Sequence, residues 1–364
     1  MRPTWVDIDL DAVEHNISVV KDLVAPAAVC AVVKADAYGH GDVPVAEAAL
    51  NAGAEWLAVA LISEAARLRE AGITAPILLL SEPPVASAPA ILQWDLTPTA
   101  YTRPLIEALA ALATTPVPVH LKVDTGMHRL GASASDALDL ARLIYDSPGL
   151  DLQAVWTHFA VADEDAGFTR TQISRFEETV KAIRAAGIRV PMVHAANTAG
   201  SIAFPAARFD MIRMGIGTYG LQPARSVGAD LGLRPVMKVV SEVMFVHKHP
   251  AGSRPSYGRR RPLAADGRVA SIPIGYADGM PRLLSSVGEV LIRGKRYPLA
   301  GTVTMDYIVV DIGSDPVEVG DEVVLIGRQG AAEIPVEEWA DHIGTINYEI
   351  VCQIGPRMPR RYRP

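Results

Sequence analysis

The stretch AAVCAVVKADAYGHG, residues 27–41, joins a short apolar run to a lysine and two glycines. The run 27–33 has the length and continuous hydrophobicity of one buried strand in a parallel sheet. Lys34 follows directly, and Gly39-His40-Gly41 break the strand before a helical segment. A buried ammonium group is costly unless it is paired, neutralised or used in chemistry. Lys34 is therefore a candidate Schiff-base amine, and a lysine that reaches solvent or pairs with Asp36 is the structural alternative.

Length and composition limit the class of protein. A chain of 364 residues exceeds what one hydrophobic core usually supports, so we expect a large domain and a smaller one. Neither the N-terminus nor any later segment has an apolar run typical of a signal peptide or a membrane span. Two cysteines cannot form a disulfide framework, and a net charge of −7 argues against a nucleic-acid partner. We therefore expect a cytoplasmic protein that binds neither nucleic acid nor membranes.

Strand-like and helix-like segments alternate through the first two thirds of the chain. Eight apolar runs are predicted to be strands: 29–33, 56–60, 76–80, 96–99, 117–123, 152–157, 190–195 and 210–215. Helical patterns lie between them at 43–51, 63–71, 104–112, 135–145 and 171–186, the last with Ile173, Phe176, Val180 and Ile183 on one face. A doubly wound open sheet would show the same alternation. The count of eight favours an α/β protein with an N-terminal (β/α)8 TIM barrel.

The pattern changes after about Pro223. Strand-like segments then follow one another with glycine turns and no intervening helices: 238–247, 268–274, 287–292, 296–300, 307–312 and 321–326. This predicts a mostly β C-terminal domain, with the linker between Pro223 and Gly232. We therefore divide the chain into an N-terminal strand (1–10) packing on the β domain, a barrel (11–225) and the β domain itself (226–364).

Polar residues follow the predicted barrel strands at the end where barrel enzymes carry their chemistry. They are Lys34, Asp124-Thr125-Gly126 with Arg129, His158, Asn197-Thr198, and Arg213 with Gly215-Ile216. Each alone is more simply explained as a helix cap or a satisfied polar group. Together, a lysine at one side of the barrel mouth and a phosphate cradle at Thr198, Gly215 and Ile216 at the other match pyridoxal 5′-phosphate. The aldehyde and phosphate of this cofactor lie on opposite sides of one ring.

Over almost its whole length the sequence resembles the alanine racemases. Lys34-Ala35-Asp36-Ala37-Tyr38-Gly39-His40-Gly41 is similar to the family's cofactor-lysine signature. Further motifs follow in order: VDIDL at 6–10, KVDTGMHRLG at 122–131, THFA at 157–160, HAAN at 194–197, MIRMGI at 211–216, SYG at 256–258, IGYADG at 274–279, MD at 305–306 and NYE at 347–349. So many ordered motifs are specific, although any one alone would be weak.

The resemblance implies an isomerase that interconverts L-alanine and D-alanine by two bases acting on a pyridoxal-phosphate aldimine. Lys34 forms the Schiff base and serves the D-alanine face, and Tyr257 serves the L-alanine face. In the family this tyrosine comes from the second subunit, so we expect a homodimer with shared active sites and a small amino acid as substrate. D-alanine then points to peptidoglycan supply. No metal site is indicated.

The resemblance also implies roles for other residues. Arg213 donates to the pyridine nitrogen, which stays neutral because arginine does not deprotonate; an ion pair with Asp210 is the structural alternative. Arg129 holds the cofactor's phenolic oxygen and the substrate carboxylate, and Lys122 matches a lysine that is carbamylated in some members. The remaining residues are a cofactor-binding set (Tyr38, His158, Asn197, Thr198, Gly215, Ile216 and Tyr348), a substrate-pocket pair (Met305 and Asp306) and an access-corridor set (Asp163, Tyr276 and Arg282).

Several positions depart from the family pattern. Asp36 stands where asparagine is common, Thr302 where many members have arginine, and Arg259-Arg260-Arg261 form a basic run after the catalytic turn. Other functions stay open: a broad-specificity racemase acting on serine and alanine, a decarboxylase, or a non-catalytic pyridoxal-phosphate-binding protein. Arg213 counts against a decarboxylase, because such enzymes typically place an acid at the ring nitrogen. The β domain and Tyr257 count against a binding protein.

Overall fold

The computed structural model describes residues 2–225, 227–228 and 231–363, which form two compact units. The barrel unit comprises Asp11–Ala37 and Asp42–Arg234. The β unit comprises the described residues up to Leu10, Tyr38–Gly41 and the described residues from Pro235 onward. The predicted boundary at 225/226, and positions 226, 229 and 230 of the predicted linker, involve residues outside those described.

Eight parallel strands form the centre of the described part of the barrel unit. Their bounds are β2 (Ala28–Val32), β3 (Trp56–Val59), β4 (Ile77–Leu79), β5 (Thr99–Ala100), β6 (Val117–Lys122), β7 (Leu150–Trp156), β8 (Met192–His194) and β9 (Met211–Met214). They are hydrogen-bonded in the order β4-β3-β2-β9-β8-β7-β6-β5. A parallel bridge from Leu78 to Thr97 joins the two ends of this order. The sheet is therefore closed, which confirms the predicted barrel over the open alternative.

The barrel helices alternate with these strands. Their bounds are α1 (Leu10–Val24), α3 (Asp42–Asn51), α4 (Ile62–Glu70), α5 (Ala88–Gln93), α6 (Arg103–Leu112), α7 (Ala134–Asp146), α8 (Ala166–Ala185) and α9 (Thr198–Ala203). On α8, all four residues of the predicted apolar face are buried. This helix begins five residues earlier than predicted, because the Asp165 carboxylate accepts a hydrogen bond from the Phe168 N–H at 3.0 Å and caps it.

The strands of the β unit are β1 (Thr4–Asp9), β10 (Met237–Glu242), β11 (Phe245–His249), β12 (Gly267–Ile272), β13 (Glu289–Ile292), β14 (Lys295–Pro298), β15 (Ile308–Gly313), β16 (Glu322–Gln329), β17 (Ala332–Ile334) and β18 (Arg360–Arg363). Among the described residues of this unit they form two sheets, ordered β14-β13-β16-β10-β1-β18 (with β17 on β16) and β11-β12-β15. Two helices follow β17: α10 (Val336–Ile343) and α11 (Asn347–Gln353). Strand β1 pairs with β10 and β18.

One predicted strand of the β unit is divided. The segment 238–247 forms parts of β10 and β11, which belong to different sheets. Apolar runs of this kind do not reveal where a chain crosses from one sheet to the next, because both strands carry the same residue types. No helix in the described part of the chain is long and apolar enough to cross a membrane.

Candidate active site

Lys34 begins an unusual turn. It is half-buried rather than buried, and α2 (Lys34–Gly39) follows β2 after one residue. The φ angles from Ala35 to Tyr38 lie between 50° and 54°, and that of Gly39 is 81°, so this turn is left-handed. For non-glycine residues this conformation costs about 1–2 kcal/mol each. Strain of this size persists only where surrounding contacts impose it, which is typical of functional sites.

Glu64 holds the start of this turn, and sequence reasoning did not identify it. Its buried carboxylate accepts hydrogen bonds from the N–H groups of Ala35 (2.7 Å), Ala60 (2.8 Å) and Leu61 (3.0 Å). Asp36 accepts from the Asp42 N–H at 3.0 Å, at the start of α3. The side-chain oxygen of an asparagine could accept the same hydrogen bond, so either residue at position 36 can hold the first N–H group of α3.

We expect Glu64→Gln to destabilise the protein by about 1–3 kcal/mol, because an amide keeps one acceptor and turns a donor toward N–H groups. The free energy of unfolding in urea measures this loss. Glu47→Gln, at an exposed position on α3, is the control and should change little. A Glu64→Gln protein as stable as the Glu47→Gln protein would contradict the assigned role of this carboxylate.

Basic side chains converge around His158 in the barrel unit. Burial lowers the pKa of His158 well below its ordinary value, and the charges of Arg213, Lys122, Arg129 and Lys34 lower it further. Lys122 and Arg213 lie in strands β6 and β9, Lys34 follows β2, and Arg129 lies in the loop between β6 and α7. The fold therefore gathers basic residues that are far apart in the sequence. A concentration of positive charge around a neutral imidazole suits a ligand with several anionic groups.

Lys122 is one of the two buried members of this group, together with Arg213. Its ammonium lies 4.4 Å from the centroid of the Trp156 ring. Burial, followed by the charges of Arg213, Arg129 and Lys34, lowers its pKa to about 7, against an opposing effect of Asp124. A substantial fraction of this amine is therefore neutral and nucleophilic at neutral pH.

Arg213 lies buried in β9 with its guanidinium tightly held. It donates to the carbonyl oxygens of Thr157 (2.8 Å) and Ala195 (2.7 Å), to His194 Nδ1 (2.7 Å) and to His158 Nδ1 (3.2 Å). Burial lowers its pKa to about 10, so it stays charged at neutral pH. Asp210 instead accepts from the Val193 N–H at 2.7 Å. Arg213 is thus held by these hydrogen bonds and not by an ion pair with Asp210.

A chain of buried groups extends behind Arg213, and the sequence did not reveal it. His194 Nε2 lies 3.1 Å from His120 Nδ1, and His120 Nε2 lies 3.0 Å from Gln153 Oε1. Since Arg213 can only donate, His194 Nδ1 accepts, and each imidazole then donates through Nε2 to the next group. Burial lowers the pKa of His120 to about 4 and that of His194 well below its ordinary range. Both rings are therefore neutral.

These histidines predict a loss of stability at mildly acidic pH. Their pKa values are lower in the folded than in the unfolded chain. Their contribution to the free energy of unfolding is therefore fully present above about pH 6.5 and is lost as the pH drops toward 4. Each contributes at most about 1.4 kcal/mol per pH unit. Urea unfolding between pH 7 and 5 should show a shallower dependence in His120→Gln than in the parent, and an unchanged one in the exposed control His342→Gln. Equal slopes in all three proteins would contradict this role for His120.

The candidate phosphate cradle in the barrel unit is organised around Thr198. Its Oγ1 accepts from the N–H groups of Gly215 (2.9 Å) and Gly217 (3.4 Å), which leaves the hydroxyl proton to donate. The Gly215 amide is thus engaged by Thr198. Asn197 caps α9, since its Oδ1 accepts from the Gly200 N–H at 2.8 Å. Buried Ile216 follows Gly215 at the start of a 3-10 turn.

The β unit contains a close pair of predicted site residues, both tyrosines. The Tyr38 and Tyr348 rings lie 6.3 Å apart, centroid to centroid. Burial, together with Tyr348 and Cys352, raises the pKa of Tyr38 above its ordinary value. It therefore keeps its proton and can donate a hydrogen bond to an anion. Gly39 adjoins this pair with positive φ, and a Cβ there would lie 2.5 Å from the Val351 carbonyl oxygen, so only glycine fits.

The β unit also presents an exposed group of predicted site residues. The exposed fractions of Tyr257, Met305 and Tyr276 are 74%, 53% and 43%. The N–H groups of Tyr276 and Ala277 donate to the carbonyl oxygens of Thr304 (2.9 Å) and Met305 (3.1 Å), which fixes the loop that carries Met305. The other predicted residues are placed as follows: Asp306 pairs with Arg357 at 2.7 Å, Arg282 is exposed in a 3-10 turn, and Asp163 is half-buried between β7 and α8.

Comparison with known proteins identifies the family. Residues 8–223 match the model of the alanine racemase N-terminal domain, and residues 236–362 match that of its C-terminal domain. Alanine racemases from Symbiobacterium thermophilum and Desulfovibrio desulfuricans are 44% and 41% identical to it, over 100% and 99% of this chain and 97% and 98% of their own. The solved alanine racemase of Streptomyces coelicolor A3(2) superposes with a TM-score of 0.95 at 37% identity, covering 99% of this chain and 98% of its own. The chain therefore belongs to the alanine racemase family.

Proposed function

We propose that this protein is a pyridoxal-phosphate-dependent isomerase that interconverts L-alanine and D-alanine. The observation that carries the proposal is the gathering of Lys34, Lys122, Arg129 and Arg213 around neutral His158 at the mouth of a closed barrel. Full-length similarity to alanine racemases supports the choice of substrate.

The residues present fit this cofactor in their donor chemistry. Lys34 supplies an amine for the aldehyde, Arg213 a donor for the ring nitrogen, and Arg129 a cation for the phenolic oxygen. His158, Asn197 and Gly215 line the cofactor region, and the proposed phosphate donors are the Thr198 hydroxyl, Ile216, Tyr38 and Tyr348. When bound, pyridoxal phosphate makes the substrate α-proton acidic by drawing electron density into its ring.

Proton transfer is the task of Lys34 and Tyr257. Racemisation requires one base on each face of the substrate, because the proton leaves one side and another arrives at the opposite side. Lys34 Nζ takes the proton from D-alanine and returns one to that face, and the Tyr257 phenol does the same for L-alanine. Arg129 and the Met305 N–H bind the substrate carboxylate, with Asp306 beside them. Asp163, Tyr276 and Arg282 line the route by which substrate enters.

Arg213 sets the electronic character of the site. Because its guanidinium stays charged and is held by four hydrogen bonds, it would donate to the ring nitrogen of the bound cofactor without giving up its proton. By supplying a donor in place of an acidic partner, Arg213 would limit how strongly the bound group draws electrons. Arg213 would thus favour proton return over side reactions such as transamination.

Lys122 is suited to carbamylation, since a neutral amine adds carbon dioxide and its pKa is lowered to about 7. The resulting carboxylate would orient Arg129. We expect protein equilibrated with ¹³C-bicarbonate to show one labelled carbamate carbon by NMR, absent from Lys122→Arg. The same signal in both proteins would contradict this assignment, and its absence from the parent would show that Lys122 acts unmodified.

We propose a homodimer in which Tyr257, Met305 and Asp306 of one subunit complete the site of the other. The strong exposure of Tyr257 and Met305 supports this arrangement. Inactive Lys34→Ala and Tyr257→Phe proteins, unfolded together and refolded as a mixture, should recover about one quarter of the parent activity, since half of the dimers are mixed and each holds one intact site. A mixture that stays inactive would place both bases in the same chain.

The first test of the proposed function is incubation of the cofactor-loaded protein with L-alanine in heavy water. We expect optical rotation to fall while deuterium appears at the α-carbon at a matching rate. Deuterium uptake with retained rotation would mean that only one face is served. No change in either would refute the activity. We place the reaction in the cytoplasm, as a source of D-alanine for peptidoglycan, and expect the gene to restore growth of a bacterium that requires D-alanine.

A further inference from the structure

The turn that carries Tyr257 has an unfavourable backbone. Ser256 has φ 65° and ψ −179°, and Gly258 and Arg259 have φ angles of 73° and 46°. The Ser256 conformation is one that residues other than glycine rarely adopt. The Tyr257 side chain is mostly exposed, so its own packing does not fix the turn within this chain. The position of the phenol therefore depends on what holds the backbone.

Two hydroxyl groups, one from the turn and one from the connection between β14 and β15, hold this backbone in place. Thr302 Oγ1 donates to the Tyr257 carbonyl oxygen at 2.6 Å, and Ser256 Oγ donates to the Thr302 carbonyl oxygen at 2.7 Å. Thr302 is only 2% exposed, so water does not readily replace its bond. We name this reciprocal pair the hydroxyl clamp. It fixes both Tyr257 and the strained residue before it.

Residues near the hydroxyl clamp also help to hold the turn. A Cβ at Gly301 would lie 2.5 Å from the Pro255 carbonyl oxygen and 3.0 Å from Ser256 Cβ, so glycine permits the close approach. On the far side of the turn, Arg254 Nη1 donates to the Arg259 and Arg260 carbonyl oxygens at 3.0 and 3.4 Å. The turn is thus anchored at both ends, and the anchor nearest Tyr257 is Thr302, one of the residues at which this sequence departs from the family pattern.

We propose that Thr302 is a positioning residue for Tyr257, acting through the backbone of the catalytic turn. The inference rests on the proposed role of Tyr257 as the base for L-alanine. Without the Thr302 hydroxyl, the turn can relax from the Ser256 conformation and move the phenol. Proton transfer tolerates little displacement, since an error of about 1 Å in a reacting group can cost about a hundredfold in rate.

The test compares Thr302→Val with Thr302→Ser. Valine matches threonine in shape but lacks the hydroxyl, whereas serine keeps it. We expect Thr302→Val to lower kcat for racemisation about 10–100-fold with little change in KM, and Thr302→Ser to restore most of it. Hydrogen exchange of the amides at 256–260, measured by mass spectrometry without cofactor, should be faster in Thr302→Val alone.

Thr4→Val is a matched control. Thr4 is also 2% exposed in the β unit, and its Oγ1 donates to the Pro273 carbonyl oxygen at 2.8 Å. Its loss should reduce stability similarly and leave kcat unchanged. Deuterium uptake into D-alanine without inversion, which Lys34 serves, should stay near the parent rate in Thr302→Val.

Three outcomes would overturn the proposal. The first is a Thr302→Val protein with unchanged kcat and unchanged amide exchange. The second is a Thr302→Val protein that loses racemisation and deuterium uptake into D-alanine equally, and the third is a Thr4→Val protein whose kcat falls as much as that of Thr302→Val. Failure of the proposed function itself would be recognised separately, because the parent protein would then neither racemise alanine nor exchange its α-proton. Faster amide exchange in Thr302→Val would still report on the clamp in that case.

Discussion

Lys34→Ala is expected to abolish racemisation, with a loss of more than about 10⁴-fold, because the change would remove both the proposed base and the proposed covalent attachment of the cofactor. The structure supports this expectation through the strained left-handed turn that Lys34 begins, which Glu64 anchors at the Ala35 N–H. Borohydride treatment of the loaded parent protein, followed by peptide mass spectrometry, should find the cofactor mass on the peptide that contains Lys34.

Lys181→Ala, at an exposed position on α8, is the control for this experiment and should keep both activity and trapping. Cofactor mass on another lysine of the parent protein would contradict the assignment of Lys34. Retained racemisation in Lys34→Ala would contradict its role as a base.

Tyr257→Phe is expected to lower racemisation by about 10²–10⁴-fold, the contribution typical of a positioned general base. Deuterium exchange should then differ between the two enantiomers of alanine. D-alanine in heavy water should still acquire deuterium at the α-carbon without losing optical purity, because Lys34, the proposed base on that face, would still remove and return the proton. L-alanine should acquire almost none.

Tyr145→Phe is the matched control, since Tyr145 is 51% exposed on α7 in the barrel unit. It should racemise alanine at the parent rate. Normal racemisation by Tyr257→Phe would leave the β unit with an assembly role only. Loss of exchange on both faces would show that Tyr257 supports binding rather than one proton transfer.

The sequence predicted the barrel because its signals are local. Most strands of the barrel lie within short, mainly apolar runs, and the helices between them carry one apolar face, as the buried residues of α8 illustrate. The exception is β5, which overlaps the predicted strand 96–99 only at Thr99. The break at Gly39-His40-Gly41 correctly placed a helix after it, which begins at Asp42. The motif residues Arg213 and Thr198 were recognised by their order along the chain and by their place near the end of a predicted strand or after it.

Other features required the folded chain. The run 238–247 gave no sign of passing between two sheets, and the left-handed turn after Lys34 is not encoded by Ala35, Asp36 or Ala37, which favour ordinary conformations. Glu64 looked like an ordinary helix residue. Its role appears only when the fold brings it to the Ala35 N–H, 29 residues away.

By itself, then, the sequence determined the alternation of strands and helices, the presence of a mostly β C-terminal domain, and the residues that resemble an alanine racemase site. Tertiary structure decided what orients them: the histidine chain behind Arg213, the Glu64 anchor and the Thr302–Ser256 clamp. His120 and His194 are 74 positions apart, and Thr302 and Tyr257 are 45 apart. Hydrogen bonds between groups so distant in sequence depend on angles and distances of a few tenths of an ångström, which only the packed backbone sets.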